Sequence, residues 1–290
     1  MGMDRKLLYN LLFSLFWACN ILATKIALNA GLDPLMLNLQ AALLTSLILI
    51  PYIALFLRKD VKKVNWKSGK TILMLGLVLA IANIVSNQSL KLTSSINYGF
   101  LVKTTIIFTP LLSMIFLSEK MTKKKVIFMT VFLMGAYLIS TNGRMMIPKL
   151  GDILVIIAAF LFSGGAITTK FLAGKFRPEF SGAIRPIAAL TFLMIITPLL
   201  AKDFTTAAVL DFKNIKYIAT ASVFYALLSI FLGKAIASSS ASYFTLMNNM
   251  TSIFVLVGGL FILSETMSLV QAIGVVITVA SAIMVQRSDV

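Results

Sequence analysis

The segment Leu117-Ser118-Glu119-Lys120-Met121-Thr122 ends a long apolar run, and Leu263-Ser264-Glu265-Thr266-Met267-Ser268 ends another about 145 residues further along the chain. Thr24-Lys25 recurs at nearly the same spacing as Thr169-Lys170. Weak internal symmetry of this kind indicates a chain that is built from structural repeats. The sequence therefore predicts two copies of one unit, residues 1–145 and residues 146–290.

Apolar runs fill both copies. The 290 residues are 59% hydrophobic and only 12% charged, whereas a soluble domain has roughly 25% charged residues. The runs are about 20 residues long, the length with which a helix crosses a hydrocarbon core about 30 Å thick, and they lack the short alternating segments of a membrane barrel. We predict an all-α integral membrane protein with ten transmembrane helices, at residues 7–29, 34–57, 71–90, 95–117, 124–141, 151–173, 180–201, 214–236, 240–262 and 268–286.

Each copy contains five predicted helices, an odd number, so the second copy enters the membrane in the opposite orientation. The loops agree, because the first Ser-Glu turn is followed by a cluster of lysines, whereas Leu263–Ser268 contains no Lys or Arg. Inverted repeats allow two halves to rock around a binding site near the membrane midplane. The predicted fold is therefore two inverted five-helix repeats.

The distribution of Lys and Arg gives the orientation. With the N-terminus inside, the inner side receives Arg5, Lys6, Arg58, Lys59, Lys62, Lys63, Lys67, Lys70, Lys120, Lys123, Lys124, Lys125, Lys175, Arg177 and Arg287. The outer side receives only Lys91, Arg144, Lys149, Lys202, Lys213 and Lys216. The positive-inside rule then predicts a multi-pass protein of the plasma (inner) membrane with both termini cytoplasmic. It also explains the net charge of +16 without a nucleic-acid partner.

Short motifs resemble a known family over essentially the full chain. Trp17-Ala18-Cys19-Asn20, followed by Lys25, is similar to the W-G-x-N and Lys of the EamA-type branch of the drug/metabolite transporter superfamily. The Leu-Ser-Glu turn after the fourth and ninth predicted helices resembles the L-G-E-R-L-T of that branch. The chain departs from the pattern at Ala18, which replaces Gly, and at Gln40, which stands where the first half often has Arg, while Arg185 keeps the charge.

The resemblance implies export of amino acids or other small metabolites, with the first four helices of each copy lining a cavity and the fifth peripheral. Sugar-phosphate or nucleotide-sugar exchange is the alternative within the superfamily, because Lys103 and Arg185 could hold phosphate. A receptor or assembly protein that does not transport is the alternative from another class. We expect no enzyme, because the chain has no His, one Cys and no pair of carboxylates within the predicted spans.

Five cations lie inside the predicted spans, where a charge costs at least about 2.5 to 3.5 kcal/mol and is usually functional or paired. Four are close enough to a helix end to snorkel to the headgroups: Lys25, Lys170, Arg185 and Lys234. Lys103 differs, because it lies eight residues into the fourth span, about 12 Å from the membrane boundary at 1.5 Å per residue. It is therefore predicted to lie near the midplane.

The repeat counterpart of Lys103 is Asn249, which follows Asn248 in the ninth span. We predict that Lys103 binds an anionic or zwitterionic small molecule and that the two amides face it. The alternative is that Lys103 snorkels outward and the Asn pair joins helices. Further candidates for the lining are Trp17, Asn20, Asn83, Tyr225 and Ser229. No cofactor or metal is expected; the lipid bilayer is the other expected partner, and a homodimer is compatible with the sequence.

Overall fold

The computed structural model describes residues 5–118, 122–144, 148–172, 175–201, 213–238, 244 and 247–287. Within these ranges the regular structure is helical and contains no strand. Seven helices are long and apolar enough to cross a membrane, and three shorter apolar helices accompany them. The predicted all-α membrane fold is confirmed at this level. The predicted boundary between the two copies, at residues 145 and 146, lies outside the described residues.

In the first copy, the predicted spans coincide with helices to within a few residues, apart from one break in the fourth span. The helices are α1 (Arg5–Asn29), α2 (Pro34–Phe56), the short α3 (Arg58–Val61), α4 (Trp66–Leu92), α5 (Ser95–Leu101), a 3-10 turn (Val102–Thr104), α6 (Thr105–Leu117) and α7 (Lys123–Thr141).

Five helices of the second copy lie within the described residues. The predicted start of its fourth span, residues 240–243, lies outside the described residues. The helices are α8 (Leu150–Lys170), α9 (Pro178–Leu200), α10 (Ile215–Ser238), α11 (Met250–Phe261) and α12 (Leu269–Arg287).

Local sequence fixes several helix starts. The Asp33 side chain accepts hydrogen bonds from the backbone N–H groups of Leu35 and Met36, and Pro34 occupies the first turn of α2. Asn65 and Ser68 form a capping box at the start of α4. Such caps satisfy N–H groups that have no partner within the helix, and a proline in the first turn costs no hydrogen bond.

The 3-10 turn at Val102–Thr104 interrupts the α-helical pattern of the span predicted at residues 95–117, which otherwise forms one apolar segment over Ser95–Phe116. The Thr104 hydroxyl donates to the Leu101 carbonyl at 2.8 Å, a local bond that competes with the regular helix. A related irregularity occurs at Asn249, whose carbonyl accepts from the Ser252 N–H at 3.1 Å, three residues further on. Lys103 and its repeat counterpart thus both lie where the helical pattern is interrupted.

The helices pack closely because small residues lie at their crossings. A Cβ atom on Gly76 of α4 would lie 2.2 Å from the Ala188 carbonyl of α9, and one on Gly182 of α9 would lie 2.3 Å from the Ser229 carbonyl of α10. Neither position can accept a side chain without separating the helices, which is how small residues act at interfaces in membranes. The interior therefore brings α4, α8, α9 and α10 together, and α7 packs against α12.

Lys25 does not snorkel to the headgroups, contrary to the prediction. It is only 9% exposed, and its ammonium donates to the carbonyls of Leu90 at 2.8 Å and Thr93 at 2.7 Å. These carbonyls belong to the last turn of α4 and the residue after it, where no helical N–H reaches them and where a cation also interacts favourably with the helix dipole. The Lys25 ammonium thus caps a helix.

The same end of the bundle contains a buried carboxylate. Asp152, in the first turn of α8, is fully buried and accepts hydrogen bonds from the Thr93 hydroxyl at 2.5 Å and from the Ser140 hydroxyl at 2.6 Å. Thr93 follows α4 and Ser140 lies near the end of α7, so these contacts join the two copies. We call Lys25, Thr93, Ser140 and Asp152 the end network.

Glu265 joins the copies at this end as well. Its carboxylate accepts from the N–H groups of Ser95 and Ile96 at 2.7 and 3.0 Å and from the Ser95 hydroxyl at 2.9 Å, so it caps the start of α5. From the sequence, a carboxylate just before the tenth span is expected to favour the start of that span. The structural role is confirmed, but the helix is a different one, because the turn of the second copy folds over the first.

Candidate functional site

Lys103 and two of the residues predicted to surround it come together in the interior. Its side chain, which belongs to a residue only 5% exposed, donates to the Asn248 Oδ1 at 3.0 Å, and its Nζ lies 4.0 Å from the centre of the Trp17 ring. An ammonium ion over the face of an indole is a favourable cation–π contact. The snorkelling alternative for Lys103 is therefore wrong, since the side chain faces helices α1 and α11. We call Lys103, Trp17, Asn248 and Asn249 the lysine site.

The ammonium of Lys103 has weak partners. Its hydrogen-bond acceptor is a neutral amide, and the same Asn248 oxygen also accepts from the Thr251 hydroxyl at 3.3 Å. In the part of the chain that the structure describes, no Asp or Glu lies within salt-bridge distance of Lys103. A buried cation with only neutral partners remains poorly compensated and can therefore gain from an anion that binds beside it.

Asn249 adds an unused donor to this region. It is only 7% exposed, and among the described residues its Nδ2 has no hydrogen-bond partner. A buried amide N–H without a partner is costly, and such groups in native structures call for a bound molecule or water. Asn248 and Asn249 are adjacent, but it is Asn248 that contacts Lys103, whereas the repeat spacing matched Lys103 with Asn249.

A second polar group surrounds Arg185, in the middle of the first half of α9. Its guanidinium donates to the Thr169 hydroxyl of α8 at 2.9 Å, and the close approaches of Gly182 to Ser229 and of Pro178 to Gly233 place Arg185 opposite Tyr225 of α10. The Tyr225 hydroxyl in turn accepts from the Asn83 amide of α4 at 3.2 Å. The sequence predicted that Arg185 snorkels to the headgroups. In the structure its side chain instead contacts the neighbouring helices. We call Arg185, Thr169, Tyr225 and Asn83 the arginine site.

The two other predicted lining residues have backbone partners. Asn20 donates from its amide to the Ala221 carbonyl at 2.9 Å and so joins α1 to α10. Ser229 is buried, and its hydroxyl donates to the Tyr225 carbonyl one turn earlier in the same helix. These hydrogen bonds are those of packing residues, and the roles of Asn20 and Ser229 in binding stay predictions.

Two hydroxyl groups that the sequence did not single out lie between the helices of the site. The Tyr98 hydroxyl of α5 and the Ser86 hydroxyl of α4 are 2.6 Å apart and both residues are buried. Ser86 lies one turn after Asn83 on α4, and Asn83 donates to the Tyr225 hydroxyl of the arginine site at 3.2 Å. The available signal was weak: Tyr98 precedes Lys103 by five residues, and a tyrosine in an apolar span is ordinarily a packing residue.

The site offers cations, amides, hydroxyls and aromatic rings. In the described ranges, no three His, Cys, Asp or Glu residues are grouped so that they could hold a metal ion. An ammonium and a guanidinium inside a helical bundle can bind carboxylate or phosphate groups, while the amides and hydroxyls orient the remainder of a small molecule. The geometry is that of a binding site within a membrane-spanning bundle.

Buried polar and ionisable groups among apolar spans are usually functional or paired in membrane proteins. The family model of the EamA-like transporter family matches residues 5–141 and again residues 149–287. The chain therefore belongs to the EamA-like transporter family and is a membrane transporter. This confirms the family to which the sequence motifs pointed.

The fold has a close counterpart among solved structures. One, described as "Crystal structure of protein", has a TM-score of 0.62 and 13% sequence identity, and the similarity covers 98% of this chain and 99% of the other. At this identity the likeness concerns the fold alone. Among curated proteins, no sequence matches the chain.

Proposed function

We propose that the chain exports small metabolites such as amino acids, by alternating access around a cavity that contains the lysine site. The observation that carries this proposal is the partnership of Lys103: a buried ammonium with one amide oxygen at 3.0 Å and one indole ring at 4.0 Å. A transported carboxylate supplies the missing counter-charge when it is bound. Water that enters an open cavity hydrates the ammonium between cycles.

The proposal includes ten transmembrane helices in two inverted copies, residues 1–145 and 146–290. The pattern of helix packing supports it. A two-fold axis would exchange α1 with α8, α2 with α9, α4 with α10, α6 with α11 and α7 with α12. Under this exchange the α1–α10 pair becomes the α8–α4 pair, and the α1–α11 pair becomes the α8–α6 pair. All four of these pairs are in contact. The α2–α9 and α7–α12 pairs are exchanged with themselves. This is the pattern expected of a two-fold axis.

Alternating access also needs helices that can bend near the site. The 3-10 turn at Val102–Thr104 and the irregular turn at Asn249 lie at equivalent positions of the two copies, beside the lysine site. Pro110 removes a further backbone donor from α6. Interrupted helices next to a midplane site are a recurring feature of transporters, because their ends can move without breaking long helical ladders.

The test of the lysine site is transport by Lys103→Met protein in liposomes. Methionine keeps the length and apolar volume of lysine but removes its charge. We expect transport of amino acids or other carboxylates to fall by at least 100-fold while the protein stays folded. The matched control is Lys234→Met, because Lys234 also lies beside aromatic rings, with its Nζ 5.6 Å from the centre of the Tyr9 ring and 5.4 Å from that of Phe231. Wild-type transport by Lys103→Met protein would refute the proposed site.

Sugar-phosphate or nucleotide-sugar exchange remains the second candidate, because the bundle holds a second cation at Arg185. The liposome assay distinguishes the two functions. An exchanger moves external substrate only when the lumen contains a counter-substrate, whereas an exporter moves it down a gradient into empty vesicles. Obligatory exchange of phosphorylated compounds would therefore replace the first proposal with the second.

The proposed orientation places both termini in the cytoplasm of a cell whose plasma (inner) membrane contains the protein. Lys62 and Lys149 are both exposed, and by the charge distribution they lie on opposite sides. In a Cys19→Ala background, an impermeant thiol reagent should label Lys149→Cys but not Lys62→Cys in intact cells. The reverse pattern would invert the proposed topology.

A further inference from the structure

We infer that the transported molecule carries two anionic groups, one bound at Lys103 and the other at Arg185, so that it belongs to the dicarboxylates or the phosphorylated acids. This inference rests on the proposed transport of an anion at the lysine site and makes its chemistry more specific. Its new element is that one molecule binds both cations at the same time, which the proposed export of small metabolites does not require.

Arg185 lies in the interior of the bundle. Gly182, one turn before it, packs against the Ser229 carbonyl of α10, and Ala188, one turn after it, packs against Gly76 of α4. The guanidinium itself reaches Thr169 of α8. The side chain is therefore surrounded by three helices, α4, α8 and α10, on the face of α9 that points inward.

The guanidinium of Arg185 has donors to spare. It carries five N–H groups in a planar fork, a geometry that suits the two oxygens of a carboxylate or the oxygens of a phosphate. One hydrogen bond, to the neutral Thr169 hydroxyl, is formed with the described residues. The residue is only half-buried, so the described residues do not fully enclose it.

The acidic residues of the described ranges are placed elsewhere. Asp33 caps α2, Glu265 caps α5, and Asp152 accepts from two hydroxyls in the end network. Asp60 is paired with Arg177 at the start of α9, and Glu179 lies in the first turn of that helix. Within this part of the chain, neither Lys103 nor Arg185 forms a salt bridge. Both cations therefore gain from an external anion.

A row of hydroxyl groups connects the two cations. Asn83 and Ser86, one turn apart on α4, contact the hydroxyls of Tyr225 and Tyr98 at 3.2 and 2.6 Å, so these two hydroxyls lie on the same face of α4. The close approach of Gly182 to Ser229 places Arg185 opposite Tyr225, because both residues lie one turn from that contact on the same side. Tyr98 lies on α5, five residues before Lys103, and its hydroxyl is 2.6 Å from that of Ser86. These groups can hydrogen-bond the middle of a short polar molecule whose ends lie at the two cations. A molecule with one negative charge leaves one of the cations without a counter-ion, whereas a dianion compensates both.

The experiment compares matched ligands on the full-length protein in lipid nanodiscs at constant ionic strength. The probes are linear dicarboxylates from malonate to adipate, their monoamides, and the pair 3-phosphoglycerate and glycerate, which differ by the phosphate group. We expect at least one dianion to bind at least tenfold more tightly than its partner that lacks the second charge. Tight binding by the dicarboxylates or by 3-phosphoglycerate distinguishes a carboxylate from a phosphate at Arg185.

Variants assign the charge preference to the arginine site. In Arg185→Gln protein the preference for the dianion should fall to twofold or less, while the monoamide binds as it does to wild type. Thr169→Val, which removes only the described partner of the guanidinium, should reduce the preference several-fold. Lys234→Met is the control and should change neither affinity. If Arg185→Gln does not fold, the Thr169→Val result decides.

The outcomes separate this inference from the function on which it rests. Equal binding of dianions and monoanions by wild type, or an unchanged preference in Arg185→Gln and Thr169→Val proteins, would overturn the inference. The lysine site would still stand if Lys103→Met then lost the binding of every anion. If Lys103→Met bound all the probes as wild type does, the proposed function itself would be wrong.

Discussion

Lys25 and Lys103 are two buried lysines of the same chain, and they differ in the kind of partner that each ammonium contacts. Lys25 has two backbone carbonyls at 2.8 and 2.7 Å, which belong to the end of one rigid helix. Lys103 has one side-chain amide at 3.0 Å, which it shares with Thr251, and the face of an indole. The partners of Lys25 are permanent, whereas a ligand can replace or supplement those of Lys103.

The difference shows that burial of a cation does not by itself mark a binding site. Removing Lys25 leaves two carbonyls at a helix end without their described donor, and unsatisfied buried groups destabilise a fold. Removing Lys103 leaves an amide oxygen that Thr251 can still satisfy. The charge of Lys103 is therefore a cost to the fold, and the proposed binding of an anion offers an explanation for its presence.

The largest expected effect on stability follows from exchanging each lysine for methionine. Lys25→Met should lower the free energy of unfolding by about 2 to 3 kcal/mol, since it removes charge-assisted hydrogen bonds. Lys103→Met should leave the free energy of unfolding unchanged or raise it. Unfolding of both variants in mixed micelles with increasing denaturant, followed by circular dichroism, measures the two values. A larger loss for Lys103→Met than for Lys25→Met would invert the comparison.

Much of this comparison could not be predicted from the sequence, although the fold class could. Runs of about 20 apolar residues locate spans because the bilayer imposes their length. The positions of Lys25 and Arg185 near span ends, however, fit both snorkelling and interior packing, and only the neighbouring helices decide. The capping of α5 by Glu265 is equally non-local, since it joins residues that are 170 apart in the chain.

The lysine site could be predicted from the sequence in part. A lysine eight residues into a span and an Asn pair at the repeat-equivalent position indicated the correct helices. The 3-10 turn at Val102–Thr104 was missed because no Gly or Pro marks it, and the hydroxyl bond of Thr104 that accompanies it is a local choice between two allowed geometries.

A smaller effect is expected for Asp152, which extends the comparison from cations to anions. Asp152→Asn keeps the size of the side chain but replaces one acceptor oxygen with a donor, so that either Thr93 or Ser140 loses its acceptor. We expect a loss of about 1 to 2 kcal/mol of stability, as for one buried polar group left unpaired. The same denaturant titration measures it. Asp152→Asn protein as stable as wild type would show that the end network contributes little.

Substitutions of Trp17 test the contact between Lys103 and the indole ring. Trp17→Leu removes the aromatic face from beside Lys103, and Trp17→Phe keeps a weaker one. Because a cation–π contact contributes about 0.5 to 2 kcal/mol, substrate affinity should change by about 2- to 30-fold in Trp17→Leu and by less in Trp17→Phe. Equilibrium binding of the best probe to each variant measures the change. Equal affinity in the two variants would mean that ring electrostatics are not involved.

The smallest effect on stability is expected for an ion pair outside the spans, because one of its two side chains is exposed to solvent. Asp60 follows α2 and accepts from the Arg177 Nε at 2.6 Å, but the Arg177 side chain is 48% exposed. Burial of Asp60 alone would raise its pKa, yet the hydrogen bonds from Arg177 and Lys63 outweigh burial and lower the pKa below 3.8. Stabilisation by this carboxylate is therefore complete above about pH 4 and is lost as the pH falls through the lowered pKa.

Asp60→Asn should accordingly cost less than about 1 kcal/mol, because solvent screens a half-exposed pair. The difference in stability between wild type and Asp60→Asn should be constant from about pH 5 to 8. It should shrink below about pH 4, because the wild-type carboxylate then becomes protonated and is as uncharged as the Asn side chain. Denaturant titrations at several pH values measure it. A stability difference that grew as the pH fell would contradict the lowered pKa of Asp60. If Asp60→Asn destabilised the protein as much as Lys25→Met, burial would not be what makes the contacts of Lys25 stronger than those of Asp60.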